Sequence, residues 1–262
     1  MKLGCLSYIN AFPVTLGLEL GEVEFQGERI SAEPTRLNAL TRRGELDITA
    51  ISSIEYLSCW QTYRVVEGVA LSSPGAVLSV RLFSRIPLAE LPGRRVAVTT
   101  ASATSRALLQ ILIPGIQVVS LQGAPELSEE QPAVLLIGDQ ALTSPLAAPY
   151  GLDLGEAWPQ RTGYPMVFAL WLARRSLPHG YAEEVLHRSR RWGEQNRDRV
   201  LQEAQLRTGL AGDLLDRYYR GLHYYLGARE RESLELFYRL AGEHGLAEVP
   251  PQLLTKETVW NA

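Results

Sequence analysis

The chain has 262 residues, with 46% hydrophobic, 21% charged and a net charge of −3. That supports a large buried core in one or two domains and offers no basic field to nucleic acid or an anionic membrane. No apolar run reaches the ~18 residues of a membrane span. No basic and apolar leader precedes the first strand, and a cytoplasmic location is expected. Cys5 and Cys59 lie in apolar contexts and read as buried thiols. No Cys/His spacing suits a metal, and no motif speaks to oligomeric state.

Lys2–Ile9 predicts a strand ending in the polar turn Ser7–Tyr8–Ile9–Asn10, and Ala11–Leu20 predicts a helix with Pro13 in its first turn. Glu28–Ala32 is a second strand. Pro34–Arg43 is a helix with Pro at its start and Gly44 at its end. Asp47–Ser52 is a third strand running into Ser53, Glu55 and Tyr56. The order βαβαβ argues for a parallel sheet, whose carboxyl edge is where ligands bind.

Val65–Leu71 and Ala76–Ser84 are further strands, parted by the turn Ser72–Ser73–Pro74–Gly75. Arg95–Thr99 is a β-branched strand, and Leu108, Ile111 and Leu112 after it fall at helical spacing up to Pro114. Between them stand Thr99, Thr100, Ser102, Thr104 and Ser105. Hydroxyls at a helix start cap its free N–H groups, or join them around an anion. Five hydroxyls exceed what a cap needs, so an anion site is expected there. Gln117–Leu121 and Ala133–Ile137 are the next strands, the second closed by Gly138–Asp139.

Tyr150–Tyr164 lacks a period and reads as an ordered loop region. Pro165–Arg174 is an apolar strand, and from Tyr181 onward the pattern is helical. Two α/β units follow, with crossings near Ser84–Pro87 and Pro165–Phe168. The expected lobes are 1–85 with 170–262, and 86–169, and a cleft between them would be lined by strand ends. Hinge closure is the motion this layout permits.

Six segments carry a family likeness: SYINAFP at 7–13, ISSIEY at 51–56, SSPGAVLSVRLFSR at 72–85, VAVTTASATSRALLQILI at 96–113, LLIGDQAL at 135–142 and DLGEAWPQRTGYPMVFALW at 153–171. In register they resemble the menaquinone-biosynthesis family of the futalosine route, in its chorismate dehydratase (MqnA) branch. The resemblance implies an α/β, two-lobed fold like that of type II periplasmic binding proteins. It implies a hydro-lyase that turns chorismate into 3-[(1-carboxyvinyl)oxy]benzoate and water, without a cofactor. The sibling family that makes 1,4-dihydroxy-6-naphthoate uses a histidine base, whereas His179 is the first histidine here. That favours the dehydratase. A protein that closes on a small anion without chemistry is the other reading the fold allows.

Under the dehydratase reading, Asn10 is the candidate catalytic residue, its amide binding the leaving hydroxyl or positioning a water. Thr99, Ser102, Ala103, Thr104 and Ser105 are expected to hold one substrate carboxylate. Ser52, Ser53 and the Gly75–Ala76–Val77 turn face the same ligand, with Ser7, Gly138 and Asp139 at neighbouring strand ends. The base is the substrate's second carboxylate, Asp153 or Glu156. Asp153 and Glu156 have a plain alternative as loop anchors, and Asp139 as a helix cap.

Overall fold

The computed structural model describes residues 1–99, 103–144 and 146–254. The chain opens with β1 (Lys2–Leu6), a 3₁₀ turn at Ile9–Ala11, α1 (Phe12–Glu19), β2 (Glu28–Ala32), α2 (Pro34–Arg42) and β3 (Ile48–Ser52). A second 3₁₀ turn at Ser53–Glu55, α3 (Tyr56–Cys59) and β4 (Tyr63–Ser73) complete the first stretch. Then come β5 (Val80–Ser84), β6 (Arg95–Val98), α4 (Ala103–Leu112), β7 (Gln117–Ser120), β8 (Ala133–Ile137), α5 (Asp139–Thr143) and β9 (Tyr150–Asp153). The chain returns through α6 (Leu154–Thr162) to β10 (Met166–Arg174), and continues as α7 (Tyr181–Gln195), α8 (Arg197–Thr208), α9 (Gly212–Arg220) and α10 (Ala228–Glu243).

These strands form two sheets, β2-β1-β3-β10-β4 and β7-β6-β8-β5-β9. In each, the first three strands are parallel and the fourth is antiparallel to both neighbours. Central strands covered on both faces read as continuous apolar runs. Accordingly β3 (ITAIS) and β8 (AVLLI) are buried at every residue, while the edge strands β2 and β7 are largely open to solvent. α2 begins on Pro34 and is followed by Gly44 in the left-handed conformation, φ 67°, the asymmetry its sequence predicts.

The chain leaves the first sheet at residues 74–79 and returns to it through 154–165. Val80–Ser84, grouped by sequence with the first unit, instead bonds β8 and β9 in the second sheet. Periodicity identifies a strand but not its partners. Met166–Ala169 likewise lies in the first sheet, bonded to β3 and β4. The expected loop at Tyr150–Tyr164 is a short edge strand followed by α6. Pro159 inside that helix and the glycines around it hide its period.

The C-terminal helices bind the halves together. α7 packs on α1, and α10 packs on both β10 and α4. Trp158 of α6 is fully buried, meets Phe237 of α10 edge-on at 5.9 Å, and donates its indole N–H to Ser233 Oγ at 2.9 Å. Cys5 and Cys59 are free thiols in the core, each pushed up to about 12 chiefly by burial. Among the described residues no helix is long and apolar enough to cross a membrane.

α6 passes directly under the outgoing crossover. A Cβ on Gly155 would lie 2.7 Å from Val77 Cβ and 2.9 Å from the Gly75 carbonyl oxygen. Alanine gains ~1 kcal/mol of helix propensity over glycine, but overpacking typically costs ~1–3 kcal/mol, and here backbone must shift. Gly155→Ala is expected to be destabilising on balance, with a thermal midpoint lower by roughly 2–4 °C; an unchanged or higher midpoint in a melt would show that the crossover yields freely.

Candidate active site

Where the two sheets face each other, the ends of β1, β3 and β8 and the starts of β5 and α4 enclose a small inner cavity of about 40 Å³. Its polar lining is Tyr8, Asn10, Ser52, Ser79 and Ser105, with Phe168 and Leu222 among the apolar walls. Outside it lies a recess of about 310 Å³, whose polar lining is Tyr8, Glu33, Thr99, Asp139 and Gln140. Tyr8 and Ile137 line both spaces and form the partition between them.

The polar lining is held from behind. Asn38 of α2 accepts from the Ser52 N–H at 3.2 Å and donates to Ser52 Oγ at 3.4 Å. Tyr218 of α9 donates its hydroxyl to Ser79 Oγ at 3.0 Å. Tyr219 donates to the Ile9 carbonyl at 2.8 Å, fixing the turn that carries Asn10. Among the described residues, two atoms facing this region are buried without a partner, Asn10 Oδ1 and Thr99 Oγ1, and Asp139 Oδ1 is a third. Buried polar atoms left so are costly and mark places where a ligand group belongs.

No Lys or Arg occurs among the described residues lining either space. An anion held here would rest on hydroxyls, the amide and the N-terminal end of α4. Burial pushes the Tyr8 hydroxyl up to about 12, with Glu33 and Asp139 adding to the effect. It therefore stays a proton donor at neutral pH. Burial also raises the Asp139 carboxyl above its ordinary value. Among the described residues no three His, Cys, Asp or Glu side chains gather as metal ligands.

Of the residues expected from sequence, Asn10, Ser52, Val77 and Ser105 line the inner cavity, and Thr99 and Asp139 line the recess. Others have different work. Ser53 Oγ and Thr104 Oγ1 lie 3.1 Å apart; Ser53 also donates to the Val167 carbonyl and Thr104 accepts from the Ile54 N–H. These hydroxyls join α4 to the turn after β3 instead of facing a ligand. Asp153 accepts from Val77 N, Leu78 N and Glu156 N at 3.0, 2.7 and 3.2 Å. It is a loop anchor and the cap of α6. Glu156 and Ala76 are exposed, and Ala103 lines a separate outer groove. Ser7, Gly75 and Gly138 are not among the cavity-lining residues; Gly138 instead lies against the Tyr8 ring in a left-handed conformation, φ 66°. Ser102 lies outside the described residues.

Sequence reasoning missed Tyr8, Ser79, Phe168 and Leu222 in the cavity wall, and Tyr218 behind it. Tyr8 and Ser79 sit within the segments SYINAFP and SSPGAVLSVRLFSR, so a signal was present. Phe168 likewise falls within DLGEAWPQRTGYPMVFALW, and Leu222 carries no signal beyond being apolar.

Residues 1–243 match the family model described as "Menaquinone biosynthesis". The chain belongs to this menaquinone-biosynthesis family. A chorismate dehydratase of Thermus thermophilus is 33% identical over 263 aligned residues, covering 92% of this chain and 94% of that protein. A 1,4-dihydroxy-6-naphthoate synthase of the same organism is 32% identical over 176 residues, or 62% of each. The alkanesulfonate-binding protein SsuA from Xanthomonas axonopodis pv. citri, bound to MOPS, superposes with a TM-score of 0.63 at 16% identity, covering 100% of this chain and 98% of that one. That likeness carries the fold alone. This family member thus has the two-lobed, periplasmic-binding-protein-like α/β fold that its sequence predicts.

The raised Asp139 carboxyl has a stability consequence. The folded chain holds that proton more tightly than the unfolded chain, so its contribution to stability falls as pH rises through the folded value. Asp139→Asn is therefore expected to raise the thermal midpoint at pH 7 and to lose that gain below the ordinary carboxyl value of 3.8. Melts of both proteins at the two pH values check it, and a midpoint lowered at pH 7 would contradict the burial effect.

Proposed function

We propose that this protein dehydrates chorismate to 3-[(1-carboxyvinyl)oxy]benzoate and water. The observation that carries the reading is the full-length relationship to a chorismate dehydratase, 33% identical over 92% of this chain. The cleft suits the chemistry. Chorismate brings two carboxylates and a ring hydroxyl, and the cavity opposes them with the Asn10 amide and the hydroxyls of Tyr8, Ser52, Ser79 and Ser105.

In the reaction the C3–H bond breaks and its proton goes to a base. The C4–O bond breaks, the departing hydroxide takes a proton and leaves as water, and the ring becomes aromatic. Aromatisation supplies driving force, so the protein's task is orientation and polarisation. Asn10 is the catalytic residue in this reading. Asp153 is spent on three N–H groups and Glu156 is exposed. The substrate's own second carboxylate is the base this cleft favours, since an intramolecular carboxylate is already in place. Ser52 and Ser105 hold the other carboxylate, with the α4 N-terminal end adding its partial positive charge. The inner cavity is far below the ~300 Å³ of an ordinary ligand site, so the lobes part at the Tyr8–Ile137 partition to admit substrate. The biosynthetic role also implies a cytoplasmic protein with a small-molecule partner.

The naphthoate synthase reading has less support. That relative aligns over 62% of the chain, and none of His179, His187, His223 and His244 lines the cavity or the recess. A ligand-binding protein without chemistry is separated by turnover.

Purified protein incubated with chorismate is expected to change its ultraviolet spectrum and yield the aromatic enol ether, identified by mass. A spectrum that stays at the spontaneous background would end the enzyme reading. Asn10→Ala should lower kcat by about 100-fold or more, and Ser105→Ala should raise KM. Turnover of Asn10→Ala near the parent value would remove Asn10 from the chemistry.

A further inference from the structure

β10 falls out of step with β4 at Phe168. Val167 stands opposite Ser72 and Ala169 opposite Leu71, so Phe168 is the extra residue of a β-bulge. Against β3 the same strand keeps an unbroken register from Ala169 to Ala173. The offset is held from two sides. Ser72 exchanges two backbone bonds with His223, at 2.9 and 2.8 Å, which blocks a slip of register. The Val167 carbonyl accepts from Ser53 Oγ at 2.8 Å. Successive residues of a regular strand turn to opposite faces, yet Phe168 and Ala169 both line the inner cavity. Re-aiming a side chain beside a site is what a bulge does.

Ser52, Ala169 and Leu71 lie in one register row across β3, β10 and β4, and all three line the cavity. The smallest side chain is in the middle of the row, which leaves room in front of it. Phe168 adjoins that space. It is 7% exposed, and its ring contacts no other aromatic ring among the described residues. Aromatic faces gain from a flat partner, stacked with an offset or edge-on. A carboxylate bound at Ser52 places the ring that bears it in front of Ala169, beside Phe168.

We infer that Phe168 is a specificity-determining residue: the bulge sets its ring against the six-membered ring of the ligand, so that the cavity favours a flat ring carboxylate over a puckered one. The place of the carboxylate at Ser52, and the consequence for catalysis, rest on the chorismate reading. There the ring flattens as it becomes aromatic. Contact with Phe168 therefore grows along the reaction and favours the transition state over the bound substrate. The same contact holds on to the flat product.

Phe168→Leu keeps an apolar side chain and removes the flat face. Two readouts test it. The first is the binding of benzoate and of cyclohexanecarboxylate, followed by NMR titration. These probes share a carboxylate and a carbon skeleton and differ in whether the ring is flat. The Kd for cyclohexanecarboxylate divided by that for benzoate should fall about 5-fold in Phe168→Leu, the loss of ~1 kcal/mol of ring contact. The second readout is turnover of chorismate. There kcat should fall about 5-fold and the inhibition constant of 3-[(1-carboxyvinyl)oxy]benzoate should rise by about the same factor, with KM moving less. A ring that only filled the core would lower the melting midpoint and leave the Kd ratio where it was, and that result overturns the inference. A parent protein that binds neither probe overturns it equally, as does unchanged kcat and product inhibition in an enzyme that turns over. Should Phe168→Leu fail to fold, Phe168→Ile suits a strand better and carries the same expectations. A parent protein that leaves chorismate untouched ends the proposed function instead, and the Kd ratio still decides the role of Phe168.

Discussion

One carboxylate fastens the outgoing crossover of this protein to the returning one. Asp153, at the end of β9, accepts from Val77 and Leu78 on the way out of the first sheet and from Glu156 on the way back. Leu78 is, among the described residues, the non-glycine residue held at positive φ, 61°. Such a conformation costs ~1–3 kcal/mol and persists only where its surroundings impose it. Hydrogen bonds to a charged acceptor contribute about 1.5–3 kcal/mol each, so two of them outweigh the strain. The result is a fixed start for β5. Val77, Ser79 and Val80 consequently reach the cavity at the start of β5, across from Asn10 and Ser52.

A second tie crosses from lobe to lobe. The Ser53–Thr104 hydroxyl pair and the Ile54 N–H join α4 to the first sheet, and the Tyr238 hydroxyl steadies the Ser53 carbonyl at 2.8 Å. The C-terminal helices thus act through buried phenols. Tyr218, Tyr219 and Tyr238 each reach a turn that faces the cleft. A helix that merely covered a sheet would need no such hydroxyls.

Much of the architecture was legible in the sequence, because buried parallel strands and proline-started helices leave local patterns. Ala133–Ile137 and Glu28–Ala32 were readable to the residue for that reason. Sheet membership was not, since the pairing of β5 with β8 joins residues some fifty positions apart. The site divides the same way. Asn10, Ser52 and Ser105 stand at strand ends and a helix start, positions that the βα pattern marks in advance. Thr104 looked like Ser105 from sequence, yet one hydroxyl faces the cavity region and the other meets Ser53. Helical rotation decides that difference, and the partner is 51 residues distant. Tyr218 was visible only as part of the helical stretch after Tyr181. Its hydroxyl matters through Ser79, which is 139 residues away.

The outer recess puts Glu33 and Asp139 on the approach to a cavity whose described lining has no formal charge. A dianion arriving there meets repulsion first and neutral dipoles afterwards. Added electrolyte shortens the reach of the repulsion, to about 10 Å at 0.1 M, while leaving short hydrogen bonds inside the closed cleft almost untouched. Capture by this protein should therefore quicken as ionic strength rises, the reverse of binders that rely on lysine and arginine to draw their anions in.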